Sequence, residues 1–181
     1  MKTYVISGGT GMGKTTTANA LKKAGFYVAP EVARTTLELM GKLEALDSKG
    51  KTPHEVERDF LQRAIFMFQE KQLELLPEDK DVIFFDRGFG DTLCFYISDG
   101  LEIPKDLLEK AEKIRYDKIF FLEPLKEYKK DEIRCEDEEE SKKIGECALR
   151  VYSEILGYEV IRVPFMPVQE RVRFILGKIK E

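Results

Sequence analysis

Between a short apolar run and a stretch of helix formers, Gly8-Gly9-Thr10-Gly11-Met12-Gly13-Lys14-Thr15 satisfies every fixed position of G-x-x-x-x-G-K-[ST]. The spacing has a chemical reason. Glycines let backbone N–H groups turn inward around phosphates, and a helix starting near Gly13 adds the positive end of its dipole. Lys14 then reaches the β- and γ-phosphates, and the Thr15 hydroxyl becomes a ligand for Mg²⁺. The dinucleotide fingerprint is the nearest rival. It fails because Gly9-x-Gly11-x-Gly13 has the wrong spacing and Lys14 would be unexplained.

The rest of the chain supplies the context such a loop requires. Apolar runs lie at Thr3–Ser7, Phe26–Ala29, Val82–Phe85, Lys118–Leu122 and Glu159–Val163. They lack the polar alternation of a half-exposed sheet, so they read as buried strands. Helical patterns fall between them, over residues 15–24, 34–47, 53–76, 89–98, 104–115, 141–156 and 167–180. Strands alternating with helices imply an α/β domain, a doubly wound parallel sheet covered on both faces. At 181 residues the chain is expected to form a single domain, residues 1–181.

Composition narrows the chemistry. The net charge is −4, with acidic and basic residues interspersed, which argues against nucleic acid as the main ligand. The three cysteines, Cys94, Cys135 and Cys147, form no C-x-x-C, so no disulfide framework is expected. The N-terminal apolar stretch is too short for a signal peptide, and no segment approaches the about 18 apolar residues of a membrane span. A soluble cytoplasmic protein, monomer or homodimer, is the expectation. His54 is the single histidine, which excludes a multi-histidine metal site. It sits in Thr52-Pro53-His54-Glu55, a helix-start signature.

Three further groups bear on the chemistry. Asp86 ends an apolar strand, where an aspartate can hold Mg²⁺ beside a phosphate-binding loop; the alternative is a cap for the next helix. Arg87 follows it where ATP-hydrolysing motors usually place a water-activating glutamate, and an arginine is better suited to gripping a phosphate or an acceptor. Glu31 and Arg34 follow the second strand, across the cleft from the loop. Glu31 can accept a proton from an acceptor hydroxyl, or it can be a carboxylate stabilised by a helix N-terminus. Arg34 can bind an acceptor or a developing charge. Residues near 125–140 sit where a mobile lid would close over the phosphates, with Arg134 its candidate arginine; the alternative is a solvated charged helix. Phe89, Phe95 and Tyr116-Asp117 can line an acceptor pocket, although aromatics at such spacing are more often core.

On these residues the chain resembles a known family. The segments are Gly8 through Thr16, Glu31-Val32-Ala33-Arg34, Phe85-Asp86-Arg87-Gly88, Arg115-Tyr116-Asp117-Lys118 and Asp131-Glu132-Ile133-Arg134. They look like the small AAA-domain P-loop proteins similar to the nicotinamide riboside kinase domain of the bacterial NAD regulator. The Asp86-Arg87 pair is also similar to that of deoxynucleoside and thymidylate kinases, whereas riboside kinases carry a different residue where Arg87 stands. The resemblance implies a three-layer P-loop kinase-like fold with strand order 2-3-1-4-5, ATP or GTP, Mg²⁺, Thr16 as part of the nucleotide site, and a lid arginine at Arg134. It does not supply an acceptor.

The expected activity is Mg²⁺-dependent transfer of a γ-phosphoryl group to a small-molecule, nucleoside- or nucleotide-like acceptor. Lys14, Arg87 and Arg134 would neutralise the transferred group, Thr15 and Asp86 would hold the metal, and Glu31 would orient or deprotonate the acceptor. The alternative is a nucleotide-dependent switch or weak NTPase acting through a protein partner.

Overall fold

The computed structural model describes residues 1–46, 58–124 and 138–181, with backbone alone for 40–46, 58 and 138. Its elements run β1 (Lys2–Ser7), α1 (Lys14–Lys23), β2 (Tyr27–Ala29), α2 (Val32–Leu46), α3 (Arg58–Glu74), β3 (Val82–Asp86), α4 (Phe89–Ser98), α5 (Lys105–Lys113), β4 (Lys118–Leu122), α6 (Glu138–Arg150), β5 (Val160–Val163) and α7 (Val168–Lys178). A π-helical turn, Val151–Ile155, prolongs α6. Every strand pair is parallel, and the order is β2-β3-β1-β4-β5. This is the P-loop kinase-like fold.

The strand sequences explain why the sheet is covered on both faces. Successive side chains point to opposite faces, and both sets are apolar. Val5, Ile83, Phe85 and Ile119 face a layer that includes Phe66 of α3, Leu93 of α4, Leu107 of α5 and Ile144 of α6. Tyr4, Ile6, Phe84, Phe120 and Leu122 face Leu21 of α1 and Val172 and Ile175 of α7. Ile6, Phe84 and Phe120 are fully buried, each stabilising the sheet by about 1.5–3 kcal/mol. A charge at Phe84 would abolish that packing. Phe89 and Tyr116 are core residues, stacked with ring centroids 6.4 Å apart. Asp117 is an ion-pair partner of Lys2 at 2.6 Å.

Register decides where function can reside. Ile6 of β1 lies opposite Asp86 of β3, and Phe85 of β3 lies opposite Ala29 of β2. The three strands therefore end side by side, delivering Ser7-Gly8, Asp86-Arg87 and Pro30-Glu31 to one rim. Ligands of open parallel sheets bind at such carboxyl ends. Among the described residues, no helix is long and apolar enough to cross a membrane.

Candidate functional site

The glycine-rich loop leaves β1 at Gly8 and enters α1 at Lys14. Gly13 caps the helix with φ +84°, a conformation that L side chains rarely adopt, and a Cβ there would stand 2.8 Å from Arg171 Nη1. At Gly9 a Cβ would stand 2.2 Å from the Ser141 carbonyl oxygen, so α6 packs directly onto the loop. The Ser141 hydroxyl donates to the Thr10 carbonyl. Within the loop, Met12 N donates to Gly9 O at 3.4 Å and Gly9 N to Met12 Sδ at 3.0 Å. Met12 is buried with the core and belongs to the site through its main chain. Thr16 lies in the first turn of α1 and is exposed.

Lys14 is buried, and its Nζ donates to Gly8 O at 2.8 Å and Gly9 O at 2.6 Å. The ammonium is thus drawn against the loop it serves. Burial, and then repulsion from Arg87, pull its pKa down to about 8.

Facing the loop stands a cluster of carboxylates and cations. Arg87 Nε donates to Glu31 Oε1 at 2.8 Å, and both side chains are 15% exposed. Glu31 Oε2 lies 3.5 Å from Thr15 Oγ1 and 3.8 Å from Arg34 Nε. Burial alone would raise the Glu31 pKa, but Arg87, Lys14 and Arg34 outweigh it and hold the carboxyl below its ordinary value. Asp86 is pushed the other way. Burial and then the Glu31 charge raise it to about 6, against the pull of Lys14 and of a hydrogen bond from Thr15. Arg87 adopts φ +76°, the one described non-glycine residue with positive φ. Such a conformation costs about 1–3 kcal/mol and persists only where surroundings over-determine it. Here those surroundings include Arg87 N, which donates to Ile6 O at 3.2 Å, and the clasp on Glu31.

Asp86 and Glu31 each have two readings in the sequence. The capping carboxylate of α4 is Asp91, which accepts from Gly88 N at 2.9 Å. Asp86 is left pointing at the site, and its buried Oδ1 has no partner among the described residues. Glu31 immediately precedes α2 and also reaches the cluster. The Asp86 carboxylate and the Thr15 hydroxyl that bonds to it offer the hard oxygen donors that Mg²⁺ prefers. Among the described residues no group of three or more His, Cys, Asp and Glu is arranged to hold a metal by itself. Mg²⁺ takes one or two carboxylates and completes its shell with phosphates and water.

Lys14, Thr15, Glu31, Arg34, Asp86 and Arg87 are therefore brought together. Arg134 and His54 lie outside the described residues, as does most of the lid segment; residues 138–140 open α6. Sequence reasoning missed three supporting residues. Asp91 is buried and joins Ser7 Oγ (2.8 Å), Gly88 N and the Tyr152 hydroxyl (2.7 Å), tying the end of β1 to α4 and α6's π-helical extension. Arg171 of α7 is buried, donating to Thr17 Oγ1 at 2.9 Å and, weakly, to Gly13 O at 3.5 Å. Ser141 is the third. Asp91, three residues beyond Gly88, carried a capping signal; Arg171 and Ser141 carried none.

The model of a family described as an AAA domain matches residues 3–171. No curated protein matches the chain. Among solved structures, NadR in complex with NR is similar at 20% identity and TM-score 0.65, over 98% of this chain and 50% of that one. This chain thus spans about half the length of NadR. The deoxyadenosine kinase from M. mycoides with bound dATP is similar at 14% identity and TM-score 0.62, over all of both chains. Thymidylate kinase from Candida albicans is similar at 13% identity and TM-score 0.67, over 99% of this chain and 91% of that one. Likenesses this distant in sequence establish a shared fold.

Proposed function

The chain belongs to this AAA-domain family of P-loop kinase-like proteins, and from that premise we propose that it is a Mg²⁺-dependent phosphotransferase, moving the γ-phosphoryl group of ATP or GTP to a small nucleoside- or nucleotide-like acceptor. One observation carries the reading. Glu31 and Arg87 are clasped at 2.8 Å beside Thr15 of the phosphate-binding loop. A carboxylate and an arginine held there suit an acceptor and a charged group in transfer. A motor would need a water-activating glutamate after Asp86, and Arg87 occupies that position.

Thr15 and Asp86 would hold the metal. Bound Mg²⁺ would neutralise phosphate charge and fix the geometry of the triphosphate tail. Lys14, whose ammonium donates to the Gly8 and Gly9 carbonyls, would leave them to meet a phosphate oxygen. Arg87 is oriented by Glu31 through Nε, and its guanidinium charge would act on the transferred group. Arg134 would add a further cation from the lid. Glu31 is ionised and acid-shifted, a good hydrogen-bond acceptor and a weak base. Its main contribution is to orient the acceptor hydroxyl, which suffices where the transition state is loose and catalysis is largely positioning and charge stabilisation.

The test is NDP release from Mg·ATP and Mg·GTP with and without a panel of hydroxyl- and phosphate-bearing metabolites. Strong stimulation by one class of acceptor is expected. Slow turnover indifferent to every metabolite would instead favour a nucleotide-dependent switch.

A further inference from the structure

Asp91 lies in the first turn of α4, is buried, and accepts hydrogen bonds from three segments of the chain. Ser7 Oγ donates to Oδ1 at 2.8 Å, and Gly88 N and the Tyr152 hydroxyl donate to Oδ2 at 2.9 and 2.7 Å. Capping α4 needs only the bond from Gly88 N. The other two reach the residue just before the glycine-rich loop and the π-helical turn after α6, and both donors are fully buried. Tyr152 is closely fitted to this place. A Cβ at Gly90 would stand 2.6 Å from its ring, and a Cβ at Gly88 2.8 Å from its hydroxyl. Only glycine at both positions admits the ring. The turn that supplies it is π-helical, a form found frequently at functional sites.

We propose that Asp91 is a positioning residue for phosphoryl transfer, acting through Arg87, with Tyr152 as its anchor. The proposal rests on the phosphotransferase reading above. Arg87 holds φ +76°, a conformation that persists only where its surroundings over-determine it. The peptide on its C-terminal side carries the Gly88 N–H, which Asp91 holds. The peptide on its N-terminal side is held by Arg87 N, which donates to Ile6 O at 3.2 Å. With both peptides pinned, the Arg87 side chain is delivered to Glu31 at 2.8 Å. The same carboxylate pins Ser7, so one buried group sets Arg87 and the start of the glycine-rich loop relative to each other. Without it the Gly88 N–H is free to rotate, Arg87 can relax to negative φ, and its guanidinium leaves the transferred group. A misplacement of about 1 Å can cost about 100-fold in rate.

The test follows NDP release from Mg·ATP and Mg·GTP, each with adenosine or thymidine as the acceptor probe. It compares wild type, Asp91→Ala, Asp91→Asn, Tyr152→Phe and Arg87→Gln, and joins Arg87→Gln to Asp91→Ala and to Tyr152→Phe. Asp91→Ala is expected to lower kcat about 30-fold or more, with the KM for the nucleotide within about threefold. Asparagine keeps the shape and an acceptor for Gly88 N, so Asp91→Asn should recover about tenfold or more of that loss. Tyr152→Phe keeps the ring and should lower kcat by about three- to tenfold, which decides the matter if Asp91→Ala does not fold. In the Arg87→Gln background either substitution should change kcat by less than about twofold, because the effect passes through Arg87. A role in folding alone would leave the kcat of folded variants unchanged. That result, no recovery in Asp91→Asn, or equal losses with and without Arg87 would overturn the assignment and leave the phosphotransferase reading standing. If the wild type binds nucleotide yet releases no NDP, with these acceptors or with the wider metabolite panel, both fall together.

Discussion

Arg87 Nε stands 2.8 Å from Glu31 Oε1, so a residue following β3 and a residue following β2, far apart in sequence, form one clasp over the rim of the sheet. Neither side chain makes sense alone: the pair is mostly buried, and Arg87 holds a left-handed backbone conformation to reach it. Breaking a buried pair from one side costs about 3–5 kcal/mol, and this partly exposed one should cost less. Glu31→Gln and Arg87→Gln are each expected to destabilise by about 1–3 kcal/mol, and the double variant by less than their sum. Denaturant unfolding of the four proteins checks this; strict additivity would mean the clasp contributes nothing.

Asp86 carries a pH dependence of known sign. Its pKa is raised to about 6 in the folded chain, burial being the chief cause, against about 3.9 when unfolded. A raised acid is neutral in the native state at low pH, so its contribution to stability is present below about 4 and is lost as pH rises through about 6. The gap corresponds to about 3 kcal/mol at neutral pH, as an order of magnitude. In the absence of nucleotide and metal, Asp86→Asn is therefore expected to raise Tm by several degrees at pH 7.5 and to change it little at pH 4. The same substitution should weaken the dependence of activity on Mg²⁺. Equal Tm differences at both pH values would contradict the assignment.

Arg171 holds the loop from behind, through Thr17 Oγ1 and Gly13 O. Arg171→Met keeps the bulk and removes the donors. The KM for the nucleotide is expected to rise several-fold, with kcat changed less than twofold. A fall in kcat at constant KM would place Arg171 in the chemistry rather than in the support of the loop.

Arg134→Ala is expected to lower turnover more than nucleotide affinity, since a lid cation matters most when charge moves onto the leaving oxygen. An unchanged turnover number would remove Arg134 from the mechanism.

The fold was legible because its signals are physical and local. Uninterrupted apolar runs mark buried parallel strands, and all five are observed within a residue or two of their expected bounds. The glycine-rich loop was legible for a similar reason, since its glycines and Lys14 are adjacent in sequence. Asp86, Arg87 and Glu31 could be chosen because each ends or follows a strand, and strand ends converge on one rim. What lay hidden was contact between distant segments. Ser141 reaches Thr10 from α6, Arg171 reaches Thr17 from α7, and Tyr152 reaches Asp91 from the π-helical turn. None of these pairings leaves a spacing to read. The open groove that Glu31 lines together with Leu39 of α2 and Phe68 of α3 was equally invisible, because it exists only once those helices lie against β2.

Lys14 and its loop carry everything else, so calorimetric titration of wild-type protein and Lys14→Ala with Mg·ATP and Mg·GTP is the most direct test. Charge-assisted hydrogen bonds are worth about 1.5–3 kcal/mol each, or roughly 10- to 150-fold in affinity. Saturable binding of at least one nucleotide by the wild type is expected, weakened by that factor or more in Lys14→Ala, while the variant's unfolding transition stays close to that of the parent. Absence of wild-type binding at millimolar concentrations, or identical isotherms for the two proteins, would contradict the assignment of this loop to a nucleoside triphosphate.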